Sequence, residues 1–326
     1  MIDSAPALPP VREWLLDMLR CPRCAGRLIW RHPFRAACER CPATYDVEGG
    51  VVRFAAPPED PLSRRTQASF GYEWTHFSDW QPSGETNFRD YFTGVDFQAL
   101  ASATALDAGC GMGRHARFVA PRVGRLVAVD FSAAIDQAAR TLAPFDNVAC
   151  LQADLRALPL TDETFDFIYS LGVLHHIADT EGAIKTLVSK LKPGGTLRIY
   201  VYWAPSGWKG RLLQLATVAR SVTTRMPFGI LRVACWLLSL VLFVAVVLPY
   251  RVLTAIGMAP HASWPLFVYT KYPFRVLYND QFDRFSAPIE KRYTSDQARQ
   301  LLEAAGLESV RVVERFGWLV EGRKPA

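Results

Sequence analysis

The chain has 326 residues, half of them hydrophobic, so it can bury a large core and a small second domain. Its formal net charge is +6, yet the excess is local: no acidic residue lies between Glu181 and Asp280, an interval with twelve Lys and Arg. Of 37 basic residues, 25 remain elsewhere against 31 acidic ones, which counts against a chain-wide nucleic-acid surface.

The opening "MIDSAPALPP" has neither a basic start nor an apolar run, so the expected compartment is the cytosol. Thiols stay reduced there, and clustered cysteines point to metal. Four stand as "CPRC" and "CERC": Cys21, Cys24, Cys38 and Cys41, spaced C-x2-C-x13-C-x2-C. Two such knuckles can surround one structural Zn2+, with "AGRLIWRHPFRAA" as a β-hairpin between them. A four-thiolate shell leaves no open position for catalysis. His32 is an alternative ligand, and Cys110, Cys150 and Cys235 read as packing residues. "APPEDPLSRR", from Ala56 to Arg65, reads as a linker. In "SFGYEWTHFSDW" and "NFRDYFTGVD" most aromatic residues suit core packing, with Tyr91 and Phe92 as weak pocket candidates.

From Ala105 the sequence runs "ALDAGCGMGRHARFV": an apolar strand, a glycine-rich turn and a helix start. Gly109, Gly111 and Gly113 give G-x-G-x-G, and Arg114 occupies the place of the third glycine of a dinucleotide fingerprint. "LDAGCGMGR" resembles motif I of the class I S-adenosylmethionine-dependent methyltransferases. "LVAVDFS", "CLQADLRALPL", "FDFIYSLGVLHHI", "LKPGGTLRIYVYW" and the final "RYTSDQARQLLEAAGLESVRVVERFGWLVEGRK" follow in the family's order. The resemblance covers Thr104–Trp203 and Lys291–Lys324. It implies an α/β, Rossmann-like fold with a seven-stranded, mostly parallel sheet, and S-adenosyl-L-methionine as cofactor. It also implies roles. The glycine loop takes the methionine end, with Asp107 near its ammonium group. Asp130 holds the ribose hydroxyls, with Phe131 and Ser132 beside it. Asp154 bonds the adenine amino group, next to Leu155, and Ser170 lies at the cofactor-facing end of the fourth strand. The plain alternative for the three acids is a turn or loop carboxylate. His175 and His176 follow the fourth strand, where the family's acceptor pocket lies, and either could be a general base. No Asn-Pro-Pro-Tyr-type tetrapeptide follows that strand, which weakens an amide or exocyclic nitrogen acceptor and leaves a ring nitrogen or carbon open beside oxygen.

In this family the fifth strand passes quickly to the last helix. Here Ala204–Glu290 intervene. They hold the uncharged run Val233–Tyr250 and a second, Val252–Thr270, interrupted by Pro260 and Pro265. Eighteen helical residues reach roughly 27 Å, close to a bilayer's hydrocarbon thickness of about 30 Å. Both ends of the insert join one sheet, so a single crossing is impossible. A monotopic or interfacial insertion, two crossings with Arg251 at the far tip, or a buried soluble lid remain, the first being favoured.

The expected organisation is a zinc ribbon (1–56), a linker with cofactor-covering helices (57–103), the first part of the methyltransferase core (104–203), a basic apolar insertion (204–290) and the last helix and hairpin (291–326). The expected activity is O-methylation of a lipid-linked or lipid-like acceptor, such as a polyprenyl-linked sugar, glycolipid or quinone precursor, at the cytosolic face of an anionic membrane. One rival is a ribosomal RNA base methyltransferase whose ribbon, with Arg20, Arg23, Arg27, Arg31, Arg35 and Arg40, tracks phosphates. The other is a zinc-ribbon adaptor with a vestigial cofactor site, against which the acids at 107, 130 and 154 speak.

Overall fold

The structure, a computed structural model, describes residues 12–32, 34–54, 60–77, 84–261, 264–315 and 317–326, without the side chains of residues 32, 208, 209, 212 and 215. The N-terminal decapeptide, the His32 side chain and the boundary expected at residue 56 lie outside the described residues. The chain forms two compact units: Met1–Gln67 with Gly84–Ala204 and Ile289–Ala326, and Ala68–Ser83 with Pro205–Pro288.

The first unit opens with a short helix α1 (Glu13–Leu16) and four small strands: β1 (Leu28–His32), β2 (Arg35–Cys38), β3 (Thr44–Glu48) and β4 (Val51–Arg53). β1 and β2 are the hairpin expected between the cysteine knuckles. Gly49 and Gly50 both take positive φ (58° and 77°), which lets a two-residue turn join β3 to β4. β4 then does something unmarked in the sequence. It pairs in parallel with β7 (Val148–Gln152), matching Val51 with Cys150 and Arg53 with Gln152.

Ribbon and core therefore share one eleven-stranded sheet, ordered β1-β2-β3-β4-β7-β6-β5-β8-β9-β11-β10. The remaining strands are β5 (Thr104–Ala108), β6 (Arg125–Asp130), β8 (Phe165–Leu171), β9 (Leu191–Val201), β10 (Glu308–Glu314) and β11 (Trp318–Arg323). β7, β6, β5, β8 and β9 are parallel, and β11 and β10 close the edge antiparallel. That is the seven-stranded Rossmann-like sheet expected from the resemblance.

The parallel strands are apolar on both faces because helices cover both. Leu106, Val127, Val129, Leu151 and Ile168 pack with α6 (Thr180–Lys190) and α11 (Ser295–Glu303) on one side. Ala105, Leu126, Ala128, Phe167 and Tyr169 pack on the other with α3 (Gly84–Tyr91), α4 (Ala116–Val119) and α5 (Ala134–Leu142). The Asp179 side chain caps α6, and a Thr294–Gln297 capping box starts α11. Phe92, 4% exposed, is core; Tyr91 is half-buried against Tyr200.

The expected linker is shorter than Ala56–Arg65. Helix α2 (Pro61–His76) already runs from Pro61, because the Asp60 carboxylate accepts from Ser63 N (2.8 Å) and proline suits the first helical position.

The second unit contains the C-terminal half of α2, α7 (Gly207–Thr223) and one apolar helix, Phe228–Ala255, of 28 residues. The latter is built from α8 (Phe228–Leu242), a π turn (Phe243–Val247) and α9 (Leu248–Ala255). The wide turn directly precedes Pro249, whose ring and missing N–H a regular α-helix would not accommodate. Helix α10 (Phe274–Ser286) returns antiparallel alongside. Leu231 and Cys235 meet Phe282, and Val247 meets Val276 and Leu277.

Only that stripe of the long helix is covered. Val233, Leu237, Val241, Val244 and Val252 are each more than half exposed, and 22% of the most apolar 18-residue window is buried. Among the described residues this is the one helix long and apolar enough to cross a membrane. The second uncharged run is not a helix of that kind. Its described residues comprise the end of α9, a non-helical stretch and most of a 3-10 helix (Phe267–Lys271). Arg251, expected at a far tip in the two-crossing arrangement, instead donates to the carbonyls of Thr270 (3.1 Å), Tyr269 (3.4 Å) and Tyr272.

Candidate cofactor site and cysteine cluster

The site grows from the ends of β5 and β6. After Asp107 the chain turns through Gly109, Gly111 and Gly113, all at positive φ. At Gly109 the need for glycine is doubled, since a Cβ would lie 2.4 Å from the Val173 side chain. The backbone N–H groups of Gly109 and Cys110 donate to Val129 O (2.8 and 2.9 Å), locking the loop against β6. Gly111 N donates to Asp130 Oδ2 (2.8 Å), while Ser132 N and Oγ donate to Asp130 Oδ1 (2.8 and 2.7 Å). The loop and the carboxylate at the end of β6 thus fix each other. Burial pushes the Asp130 pKa up, and these hydrogen bonds pull it back.

Asp107 is 3% exposed, and its Oδ2 has no hydrogen-bond partner among the described residues. Burial raises its pKa to about 8; the nearby Tyr169 hydroxyl lowers it, Asp130 repels, and Arg114 attracts. A buried carboxyl poised this way, with a vacant acceptor oxygen, suits a cationic ligand. An aminoacyl ammonium group fits it, and Asp130 with its neighbouring N–H groups fits a diol.

The other expected cofactor residues are more committed. Phe131 O accepts from Gln67 Nε2 (2.8 Å), and Leu155 is buried. Asp154 faces Arg156, whose Nε and NH2 engage both carboxylate oxygens (3.0 and 2.7 Å to Oδ2). Ser170 is fully buried, and its hydroxyl bonds Ala108 O (2.7 Å), tying β8 to β5.

The two histidines differ. His175 is fully buried, its ring tilted against that of Tyr202 (3.9 Å) and that of His176 (4.2 Å). His176 Nδ1 lies 2.6 Å from Ile289 O. A carbonyl can only accept, so Nδ1 is the donor in this contact. Sequence reasoning missed the supporting residues. Tyr202 carries the Arg292 guanidinium 5.1 Å above its ring, and Arg292 pairs with Glu290 (2.8 Å). Arg198, 5% exposed, pairs with Glu321 and donates to Tyr91 O and Thr93 O, pinning the end of α3 to the sheet. A buried arginine at mid-strand was the available signal.

In the ribbon, the sulfurs of Cys21, Cys24, Cys38 and Cys41 all lie within 4.8 Å of one another. Cys21 and Cys41 are 3.7 Å apart, Cys24 and Cys38 3.4 Å. Tetrahedral zinc with Zn–S of about 2.3 Å needs sulfurs roughly 3.8 Å apart. At Cys21 burial pushes the pKa up, but hydrogen bonds from Tyr45, the backbone of Arg23 and Cys24, and Cys41 bring it down to about 6. At Cys24 a Gly26 backbone hydrogen bond pulls the pKa down, but Cys38, burial, Cys41 and Cys21 push it up to about 12. The cluster could hold a metal ion.

Strand order and glycine cradle are those of the Rossmann-like methyltransferase fold. Residues 106–199 match the family model described as a methyltransferase domain. An uncharacterized methyltransferase of Mycobacterium tuberculosis is 36% identical over 107 residues, 33% of this chain and 54% of that protein. A 2-phytyl-1,4-naphtoquinone methyltransferase of Thermosynechococcus vestitus is 36% identical over 116 residues, 34% of this chain and 52% of that protein. A probable tRNA methyltransferase 9B of Homo sapiens is 36% identical over 140 residues, 41% and 28% of the respective chains. The chain spans about half the length of the first two relatives.

Proposed function

We propose that the protein is an S-adenosylmethionine-dependent O-methyltransferase that works at the cytosolic face of an anionic membrane on a lipid-linked or lipid-like acceptor. The observation that carries this reading is the exposed apolar helix Phe228–Ala255 in a chain with an intact methyltransferase cradle. Arg225, Arg232, Lys271 and Arg275 flank the apolar residues in sequence, and an apolar surface among cations suits an anionic bilayer. Ala204 N donates to Tyr293 O (2.8 Å), so the two ends of the insert are held together. With one apolar helix and a charged return helix, the monotopic arrangement is the reading they support.

When bound, S-adenosylmethionine supplies an electrophilic methyl carbon. The chain's own residues hold and orient. Asp107 meets the ammonium group and Asp130 the ribose hydroxyls. His176 Nε2 takes the proton from the acceptor hydroxyl as its oxygen is methylated. The cysteine cluster holds one structural Zn2+ and takes no part in the reaction. The relative named as a quinone methyltransferase is consistent with an apolar acceptor. The relative named as a tRNA methyltransferase keeps RNA as the rival substrate.

The test is mass spectrometry of lipid and RNA extracts from cells with and without the protein. A 14 Da shift in a lipid supports the reading. A shift confined to RNA overturns it.

A further inference from the structure

β4 carries a charged side chain that reaches beyond the ribbon. Arg53 NH1 donates to Gln152 Oε1 (3.1 Å), and its NH2 pairs with Asp136 in the first turn of α5. Gln152 ends β7, and its Nε2 faces the carbonyls of Phe131 (3.3 Å) and Ser132 (3.4 Å). Ser132 is the residue that donates twice to Asp130. The loop from Asp130 to α5 is therefore held at both ends by one guanidinium, through Gln152 on one side and Asp136 on the other.

An amide can face two carbonyls only with its NH2 group. Its oxygen must then point away and find a donor, and Arg53 is that donor. Arg53 is fixed in turn by β4. That strand is joined to β3 (Val47↔Val52), and β3 to β2 (Ala37↔Thr44), which ends at Cys38 of the cysteine cluster.

We propose that the cysteine ribbon sets cofactor affinity through Arg53, a positioning residue that orients Gln152 and thereby the Phe131–Ser132 backbone around Asp130. The proposal rests on the cofactor reading above. The ribbon, on this account, is a brace for the ribose site. Loss of its metal loosens β4 and is felt more than a strand away, at Asp130.

The experiment uses the full-length protein, with calorimetric titration of S-adenosylhomocysteine and thermal melting side by side. Gln152→Glu keeps an acceptor for Arg53 but cannot donate to the two carbonyls. It should weaken binding about three- to tenfold, while the melting temperature stays within a few degrees of the unaltered protein. Arg53→Leu should weaken binding to a similar degree, and Arg53→Lys less. Removal of metal by a chelator, followed by metal analysis, should weaken binding to the unaltered protein likewise. It should add less than about twofold in Arg53→Leu, because effects along one connected path do not multiply. Unchanged affinity in Gln152→Glu and Arg53→Leu overturns the relay alone. So does a full multiplication of the chelation and Arg53→Leu effects. No binding to the unaltered, metal-loaded protein overturns the cofactor reading, and the relay with it.

Discussion

The Nδ1 atom of His176 lies 2.6 Å from the carbonyl oxygen of Ile289. This one contact separates two adjacent histidines that the sequence leaves equivalent. It makes Nδ1 of His176 a donor and orients the ring, while His175 is packed against Tyr202; on the proposed reading His176 is the base. His176→Ala should therefore cut methyl transfer into a lipid extract by about 10²- to 10⁴-fold, with S-adenosylhomocysteine affinity unchanged. Full activity in radiolabelled-methyl assays would remove His176 from the reaction.

Asp107 gives a pH signature. Its pKa of about 8, raised by burial, lies far above that of an exposed aspartate. An arriving ammonium group favours the ionised form, so binding below that pKa should release a proton. Calorimetry at neutral pH in buffers of different ionisation enthalpy should show this release. Asp107→Asn should abolish both the release and most of the affinity.

The same shift affects stability. A carboxyl whose folded pKa is raised keeps its proton after the unfolded chain has lost it. Its contribution is full below the unfolded value, near pH 4, and is lost as pH rises through the folded value of about 8. The cofactor-free protein should lose stability across that window, and Asp107→Asn should flatten the slope. Denaturant midpoints measured from pH 5 to 8 decide it.

Asp130→Ala removes the partner of Gly111 N, Ser132 N and Ser132 Oγ as well as the proposed ribose contact. Charge-assisted hydrogen bonds contribute about 1.5–3 kcal/mol each. Cofactor affinity should fall more than tenfold while the circular dichroism spectrum stays native. Calorimetry with unchanged affinity would mean that the ribose is held elsewhere.

The apolar helix can be tested without deleting it. Val241 and Val244 are exposed, at 62% and 55%, so acids there cost the fold little. An acid at the centre of an inserted helix costs about 2.5–3.5 kcal/mol. Val241→Asp with Val244→Asp should abolish flotation with anionic liposomes and leave melting and cofactor binding intact. If the unaltered protein itself stays behind in detergent-free, low-salt flotation, the helix serves another contact.

Much of the core was legible because its constraints are local. A strand, a glycine turn and a following acid are read within thirty residues, and β5, β6, β8 and the last helix and hairpin fall where the motifs put them. What escaped depends on partners far along the chain. His176 is distinguished by a carbonyl 113 residues away. Arg53 reaches a glutamine 99 residues away. The three residues of β4 are too few to announce a parallel partner. The Pro-rich run Ala56–Arg65 reads as linker because its composition outweighs the cap that starts α2 at Pro61. The second apolar run lacked helical length because Gly257, at φ 82°, and Pro260 end the helix before it can cross.

The placement of β11 gives the chain an order of assembly. β9 (Leu191–Val201) needs β11 (Trp318–Arg323) on its open side, and the whole insert lies between them. On the ribosome, Phe228–Ala255 is made while that sheet edge is still bare. On the proposed membrane reading, the apolar helix can reach a bilayer before the sheet is complete, and the final hairpin then closes it on a nascent chain already docked. Delivery to the membrane would then be set by the order of synthesis, ahead of any finished cofactor site.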